Sequence, residues 1–500
     1  MGDLQILLSF PPDDVAKLTR KKYDDAINKY IQRLEKLPST TWLKLVDKKN
    51  LLEMLNPEVN SIPYMASLNS QMKAAGKDRS KIELLLNYAV IFLATFDPVQ
   101  VRYVGDTWLN VLDWTLDMIP ESGSSDLSPI SSAMLRLDPT AGTFTSTHLR
   151  FLRKCLEGGV PSHALPILDK NIYAMPTTPP KFLSDEYLCD DLELSNTFIT
   201  PKSGFTRKIQ PEYVLEYYLL GAHIYLGMRN HARARLFLEY AYLHPTIQHS
   251  VSALQVEAYN KWVMVGLLTE GKPYPIPRTH DTGVMKSIRD VARPYDALAE
   301  SFVKRDLSKY RAEVEVGLQI WHEDGNLRLV KEAESALLRF RVMDLQKTYA
   351  ALPIGRVAVH VGYPPDTTLQ WVTEMIRQRH LQASITPHGS GDAGDAVLRF
   401  HQSTPGSSAQ FDDDLEAQTQ RIEALVAHAR DADRRLQLTK EYVEYTKRQK
   451  RSGPDAVDMA DQMDLSWENN GVGGGLMTGS AGGMVGLDED DGDEDIMGGF

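Results

Sequence analysis

The residues of this chain best suited to metal or nucleophilic chemistry are thirteen histidines and two cysteines. Their spacing supports neither chemistry. A zinc site needs paired ligands at short fixed intervals, as in HExxH, HxH or CxxC, and none of these occurs. His244 and His249 stand five apart across Pro245 and read as loop or helix-face histidines. Cys155 falls inside the helical pattern FTSTHLRFLRKCLEGG (Phe144–Gly159) and reads as a small core residue. Cys189 is too distant to form a disulfide framework with it, so a reducing intracellular compartment is expected.

Phosphate chemistry fares no better. AAGKDRS (Ala74–Ser80) contains Gly-Lys, but no glycine stands five residues before Gly76, and Asp78 fills the place of the required Ser or Thr. No GxGxxG opens a helix after a strand, and there is no GxSxG elbow. PHGSGDAGD (Pro387–Asp395) is glycine-rich, yet it has no lysine and no following helix, so it reads as an ordinary loop between strands. The expectation is a protein without catalytic residues, metal or cofactor.

The elements around these residues are mostly helical. Apolar residues make up 42% and charged residues 24% of the 500, an ordinary globular balance. The formal net charge is −12, and all of it comes from the end of the chain. From Gly453 onward there are 12 Asp and Glu and no Lys or Arg; removing those 12 from the 67 acids leaves 55 against 55 bases. A neutral body lacks the concentrated basic face that polyanion binding needs. The start of the chain, MGDLQILLSFPPDD, has no basic region and too short an apolar run for a signal peptide. The most apolar run, LLLNYAVIFLATF (Leu84–Phe96), has 13 residues including Asn87. A membrane span takes roughly 20, so this run reads as a buried core helix and no membrane contact is expected.

Helical periodicity carries the chain to Leu345, with no convincing hairpin or βαβ unit before it. Lys81–Phe96 and Val99–Met118 are strong helices, with Asp97-Pro98 between them. Pro120–Ala133 and Pro176–Gln210 read as loop insertions, and Pro161–Tyr173 as a helix. The clearest helix pair is YYLLGAHIYLGMRNHARARLFLEYA (Tyr217–Ala241). Glu212–Met228 and His231–Leu243 are its helices, turning at Arg229-Asn230. Aligned to a 34-residue tetratricopeptide unit, Gly221 falls at the close-packing glycine, Phe237 at the aromatic position and Pro245 at the terminal proline. Arg233 stands where a small residue is wanted, so Ala232 or Ala234 must serve. Tyr217, Ile224, Tyr225, Phe237 and Leu238 are expected to fill the groove. Further helices are expected at Thr246–Thr269, Lys286–Ala299, Tyr310–Glu323 and Asn326–Leu352.

The texture then changes. Arg356–Val361 and a helix capped by Asp366 or Thr367 and running to Arg379 precede two strands, Gln382–Ile385 and Ala396–Phe400. Leu369, Val372 and Ile376 mark the second helix's inner face. This is the order of a winged helix. The second helix sets Asp366 and Glu374 against Arg377 and Arg379, and such a net-neutral element argues against DNA binding. Ser403–Ala409 is a linker. In the polar helix Asp412–Arg451, Leu415, Ile422, Ala429, Leu436 and Val443 recur every seven residues, with Leu425 and Ala432 at d positions. Gln418, Thr439 and Thr446 interrupt the d row, which suits docking into a larger bundle. The tail carries 12 glycines after residue 452 and too little apolar surface to fold. The expected domains are helical repeats with insertions over 1–205, tetratricopeptide-like repeats over 206–345, a winged helix over 346–402, a bundle helix over 409–451 and a disordered acidic tail over 453–500.

Repeats, winged helix and C-terminal helix in this order resemble the PCI-domain proteins, which are scaffold subunits of the proteasome lid, the COP9 signalosome and a translation initiation factor. The signalosome members are the most similar. Tyr217–Ala241, SALQVEAYNKWVMVGLLTEGK (Ser252–Lys272), HALPIL (His163–Leu168) and the succession TYAALPIGRVAVHVG, WVTEMIRQRHLQASI, VLRFH carry the resemblance. It covers roughly residues 144–401. The two insertions and the Gly/Asp tail depart from the family pattern, the wing is longer, and Arg379-His380 replaces a glycine turn. The resemblance implies a non-catalytic subunit of a complex that removes a ubiquitin-like modifier from cullins and so regulates cullin–RING ligases. Its protease would be a separate MPN-domain subunit. It also implies PCI and MPN subunits as partners, residence in cytoplasm and nucleus, and no direct nucleic-acid partner. The interface residues it implies are the edge strand of Ala396, Val397, Leu398, Arg399 and Phe400, and the seam Leu415, Ile422, Leu425, Leu436 and Val443.

Overall fold

The computed structural model describes residues 2–437, apart from 13–17, 44, 47–48, 77, 179–186, 193, 246–249, 379, 387–392 and 402–407, together with 442 and 445. His249, Arg379, most of the linker, the centre of the loop between the last two strands, Val443 and the tail from 453 lie outside the described residues. Residues 1–404 form one compact unit and the remainder a second.

The first part of the larger unit is a succession of packed helices. Ser61–Ala75 and α1 (Arg79–Thr95) form an antiparallel pair on either side of Gly76, whose φ of 55° suits a residue without Cβ. The helix expected over Val99–Met118 is divided. The Asp97 carboxylate accepts from the Val99 amide at 2.9 Å to cap Pro98–Val101, and a second helix runs Gly105–Glu121. Two expected loops are more ordered than their composition suggests. Within Pro120–Ala133 a helix begins at Ser128, with Pro129 in its first turn, where a missing N–H leaves no bond unmade. The Pro176–Gln210 insertion buries Phe198, Ile199 and Phe205, and the Phe205 ring meets Trp108 edge-on at 5.8 Å. A small hairpin, Leu45–Val46 with Lys49–Asn50, corrects the expectation of none in this region. Pro161–Tyr173 holds only a 3-10 turn and the short helix Leu165–Leu168.

In the middle of the chain α2 (Ser146–Glu157), α3 (Pro211–Gly227), α4 (His231–Tyr242) and α5 (Ala253–Thr269) pack in sequence. The α5 start, expected at Thr246, lies where the Ser252 hydroxyl accepts from the Leu254 amide. The expected Lys286–Ala299 helix breaks before Pro294 into Thr282–Val291 and Arg293–Val303. Tyr310–Glu323 breaks at Gly317 into Leu307–Val316 and Leu318–Glu323.

α6 (Leu327–Leu345) ends seven residues short of its expected limit, and the chain enters β1 (Ala351–Pro353), a strand that sequence periodicity did not reveal. α7 (Ile354–Val361), α8 (Pro365–Arg377), β2 (Ala383–Thr386) and β3 (Val397–Phe400) follow. The α8 N-cap is Pro364, and Asp366 sits in the first turn instead. Val372 and Met375 are its buried apolar residues, with Leu369 and Ile376 half-buried beside them. The antiparallel sheet has the order β1–β3–β2, with Ala351 opposite Arg399 and Ala383 opposite Phe400. Helix, strand, two helices and a returning pair of strands make up winged-helix connectivity. β3 is therefore the central strand, paired on both sides, and Ala396–Phe400 is not an edge. The edges are β1 and β2.

The two cores of this unit meet in α6. Val330, Ala333, Ala336 and Leu337 pack in the repeat core, while Leu338, Val342 and Leu345 pack in the core of the winged helix. No described helix is long and apolar enough to cross a membrane.

Gly221 sets the spacing of α3 and α4. A Cβ there would stand 2.6 Å from two ring carbons of Phe237 and 3.0 Å from Leu168 Cδ2. Gly221→Leu is expected to lower stability by about 1–3 kcal/mol, seen as a lower melting temperature. Gly227, whose Cβ would meet nothing within 4 Å, is the control: Gly227→Ala should leave the melt unchanged or slightly raised.

Candidate functional site

The aromatic stretch that could have been a site is a packed interior. Tyr217, Ile224, Tyr225, Phe237 and Leu238 are all buried. Tyr217 meets Phe144 at 5.3 Å and Tyr218 at 5.4 Å, both edge-on. Ala234, fully buried, supplies the small residue, while Ala232 is exposed. Arg233 lays its guanidinium over Tyr225 and Phe237 and donates to the Leu168 carbonyl at 2.8 Å. That arrangement explains how an arginine is accepted beside the groove. Pro245 is exposed, so it follows the helix end without packing into the repeat.

The titratable groups inside this region hold structure. The Lys261 ammonium is buried and stands 2.7 Å from the Glu257 carboxylate, with His223 Nε2 at 3.4 Å. Burial alone would raise the Glu257 pKa, but hydrogen bonding to His223 and Lys261 and the Lys261 charge outweigh it and bring it down to about 2. Cys155 is buried, and desolvation pushes its thiol up to about 12, the reverse of a reactive cysteine. Among the described residues no three His, Cys, Asp or Glu side chains gather to hold a metal.

His148 is the most perturbed histidine. Its Nδ1 accepts from the Thr145 amide at 3.1 Å, which fixes the neutral ring at the first turn of α2. Burial pushes its pKa down to about 4.

The surfaces are more informative. α9 (Ser408–Gln437) exposes Leu415, Ile422, Leu425 and Leu436 by 53%, 61%, 59% and 52%. An apolar row more than half exposed on a charged helix is a candidate docking face. These are four of the five residues of the expected seam; Val443 lies outside the described residues. α1 is a core helix on one face only, where Leu85, Ala89, Phe92 and Leu93 are buried. Leu84 and Ile91 are 47% and 50% exposed, on the same face as Asn87 and Ala94. Of the two sheet edges, β1 was missed by sequence reasoning, and β2 was expected as the strand Gln382–Ile385 but not as an edge. Their only sequence signal was a three-residue Ala-Leu-Pro and a short alternation.

Comparison with known proteins bears on what this assembly of surfaces is for. The family model for the N-terminal helical repeats of COP9 signalosome complex subunit 3 matches residues 20–284. The chain belongs to the COP9 signalosome subunit 3 family. A curated relative named COP9 signalosome complex subunit 3, from Emericella nidulans, is 31% identical over 79% of this chain and 82% of its own length. Proteins of the same name from Neurospora crassa and Dictyostelium discoideum are 27% and 21% identical, over 89% and 83% of this chain and 91% and 90% of theirs. The matched repeats include the Gly221 pair and all of α5, and the relatives' coverage reaches well beyond them.

The His148 environment generates a pH prediction for this family member. The unfolded chain takes up a proton near pH 6.5, while the folded one resists until about pH 4. Stability is therefore whole above 6.5 and falls as pH drops toward 4, by up to roughly 3 kcal/mol. His148→Gln keeps an acceptor for the Thr145 amide and should lose this part of the acid sensitivity. Melting curves from pH 7 to 4 for both proteins would measure the difference.

Proposed function

We propose that this chain is a non-catalytic scaffold subunit of the COP9 signalosome, serving a complex that deneddylates cullins and thereby regulates cullin–RING ligases. Membership of the subunit 3 family supports the assembly. The observation that carries the scaffold role is the exposed seam of α9, an apolar row built for partner helices and left open to solvent. Its partners in this reading are other PCI- and MPN-domain subunits, with cullin–RING ligases met indirectly, in cytoplasm and nucleus. The absence of a nucleophile–base pair or ligand cluster in the sequence motifs accords with catalysis by another subunit.

Nucleic-acid binding through the winged helix is the weaker reading. Arg377 is hydrogen-bonded to the Glu374 carboxylate three residues before it, at 2.7 Å from Nε. That pairing leaves α8 little charge for phosphates.

Affinity purification of the tagged chain with mass spectrometry tests the proposal directly. PCI and MPN subunits should co-purify; recovery of proteasome-lid or initiation-factor subunits instead would reassign it. Replacing both Leu425 and Leu436 by Asp should release the chain from its partners. The circular dichroism of the repeats should be unchanged. Co-purification of the doubly substituted chain at wild-type yield would refute the seam assignment.

A further inference from the structure

A cleft of about 260 Å³ opens where the α3–α4 turn, the end of α5, α6 and α8 converge. This is less than the roughly 300–1,000 Å³ of a small-molecule pocket and suits one or two side chains. Leu268, Trp371 and Met375 give it an apolar wall, and Arg229, His231, Arg339 and His380 supply cationic or protonatable groups.

One arginine of the cleft has no carboxylate partner among the described residues. Its two carboxylates are already engaged, Glu332 by Arg229 and Glu374 by Arg377. Arg339 donates only to the Leu268 carbonyl, at 2.8 Å, and among the described residues no carboxylate lies in ion-pair range of it. The half-buried guanidinium, 5.5 Å from the Phe340 ring centroid, therefore lines the cleft with no carboxylate partner among the described residues. His231 Nδ1 is buried without a hydrogen-bond partner. The pKa values of His231 and His380 are both lowered, chiefly by burial; Arg229 and Arg339 add to this at His231 against the opposing Glu332 carboxylate, and Arg339 adds to it at His380. Arg229 adds a conformational sign. It occupies a left-handed φ of 62°, where glycine would be easier, and its side chain reaches across to α6 through Glu332.

We propose that this cleft binds an acidic peptide segment of a protein partner. An Asp or Glu carboxylate would pair with Arg339, and an adjacent apolar side chain would lie against Trp371 and Met375. Charge complementarity selects the acid, and the apolar wall selects a peptide over a free anion. The site touches both the repeats and the winged helix, so an occupied cleft would also favour their present alignment.

The test uses the 500-residue chain and a panel of fluorescein-labelled nonapeptides, each with a central Glu-Leu, Asp-Leu, Glu-Phe or Asp-Phe pair in a Gly/Ser background. Fluorescence anisotropy should show at least one peptide binding more tightly than about 1 mM. Its Gln or Asn counterpart should bind at least about tenfold more weakly, and Arg339→Gln should lose a similar factor. His380→Glu, at an exposed position, places a carboxylate beside the cleft and should abolish binding without affecting the fold. The proposal fails if no peptide binds, if the amide peptides bind equally, or if both variants bind like wild type. It also fails if inorganic phosphate displaces the labelled peptide as effectively as the same unlabelled peptide, since the cleft would then be an anion site without peptide selectivity.

Discussion

One helix belongs to two cores, and the arrangement of the larger unit rests on that fact. The first half of α6 packs Val330, Ala333 and Leu337 into the repeats, and its second half packs Val342 and Leu345 under the three-stranded sheet. An α-helix is stiff over this length, and both halves are closely packed, so neither core can turn against the other without losing buried contacts. Arg305, at the end of a neighbouring helix, reinforces the junction: its Nε donates to Asp344 at 2.9 Å and its Nη1 to the Gly271 carbonyl at 2.8 Å. A scaffold must present separate surfaces at fixed angles, and a shared helix with an ion-paired junction is a direct way to do so.

The same reasoning explains why buried titratable groups here do not amount to chemistry. Glu257 with Lys261, and His148 at the start of α2, are each held by neighbours that fix one protonation state. Catalysis needs groups poised to change state near the working pH. These groups are displaced from it, Glu257 and His148 downward and Cys155 upward, in the directions that favour a static interior.

Much of the fold was legible because it rests on local rules. Gly221 and the aromatics of α3 and α4 recur at helical spacing, and their packing follows directly from it. The failures share a cause as well. Periodicity ran through Pro294 and Gly317, so single helices were expected where the backbone breaks. β1 is only Ala-Leu-Pro, and its strand character comes from its register with Val397–Arg399, a tertiary fact. Strand order is tertiary too, which is why β3 was mistaken for an edge. Apart from Asn87, the Leu84–Ala94 stretch of α1 carries apolar residues on every side, so composition alone could not show that the face bearing Leu84 and Ile91 lies open. The Arg339 cleft draws its residues from four elements distant in sequence, and no motif announces it.

The central claim is that α6 holds the repeats and the winged helix in one fixed relation that assembly requires. Inserting Gly-Gly between Leu337 and Leu338, at the boundary between the two cores, tests it most directly, with quantitative mass spectrometry of the subunits co-purifying with the tagged chain as the readout. The account predicts that both cores remain folded by circular dichroism while recovery of partner subunits falls sharply. Recovery of the full set at wild-type proportions would contradict it.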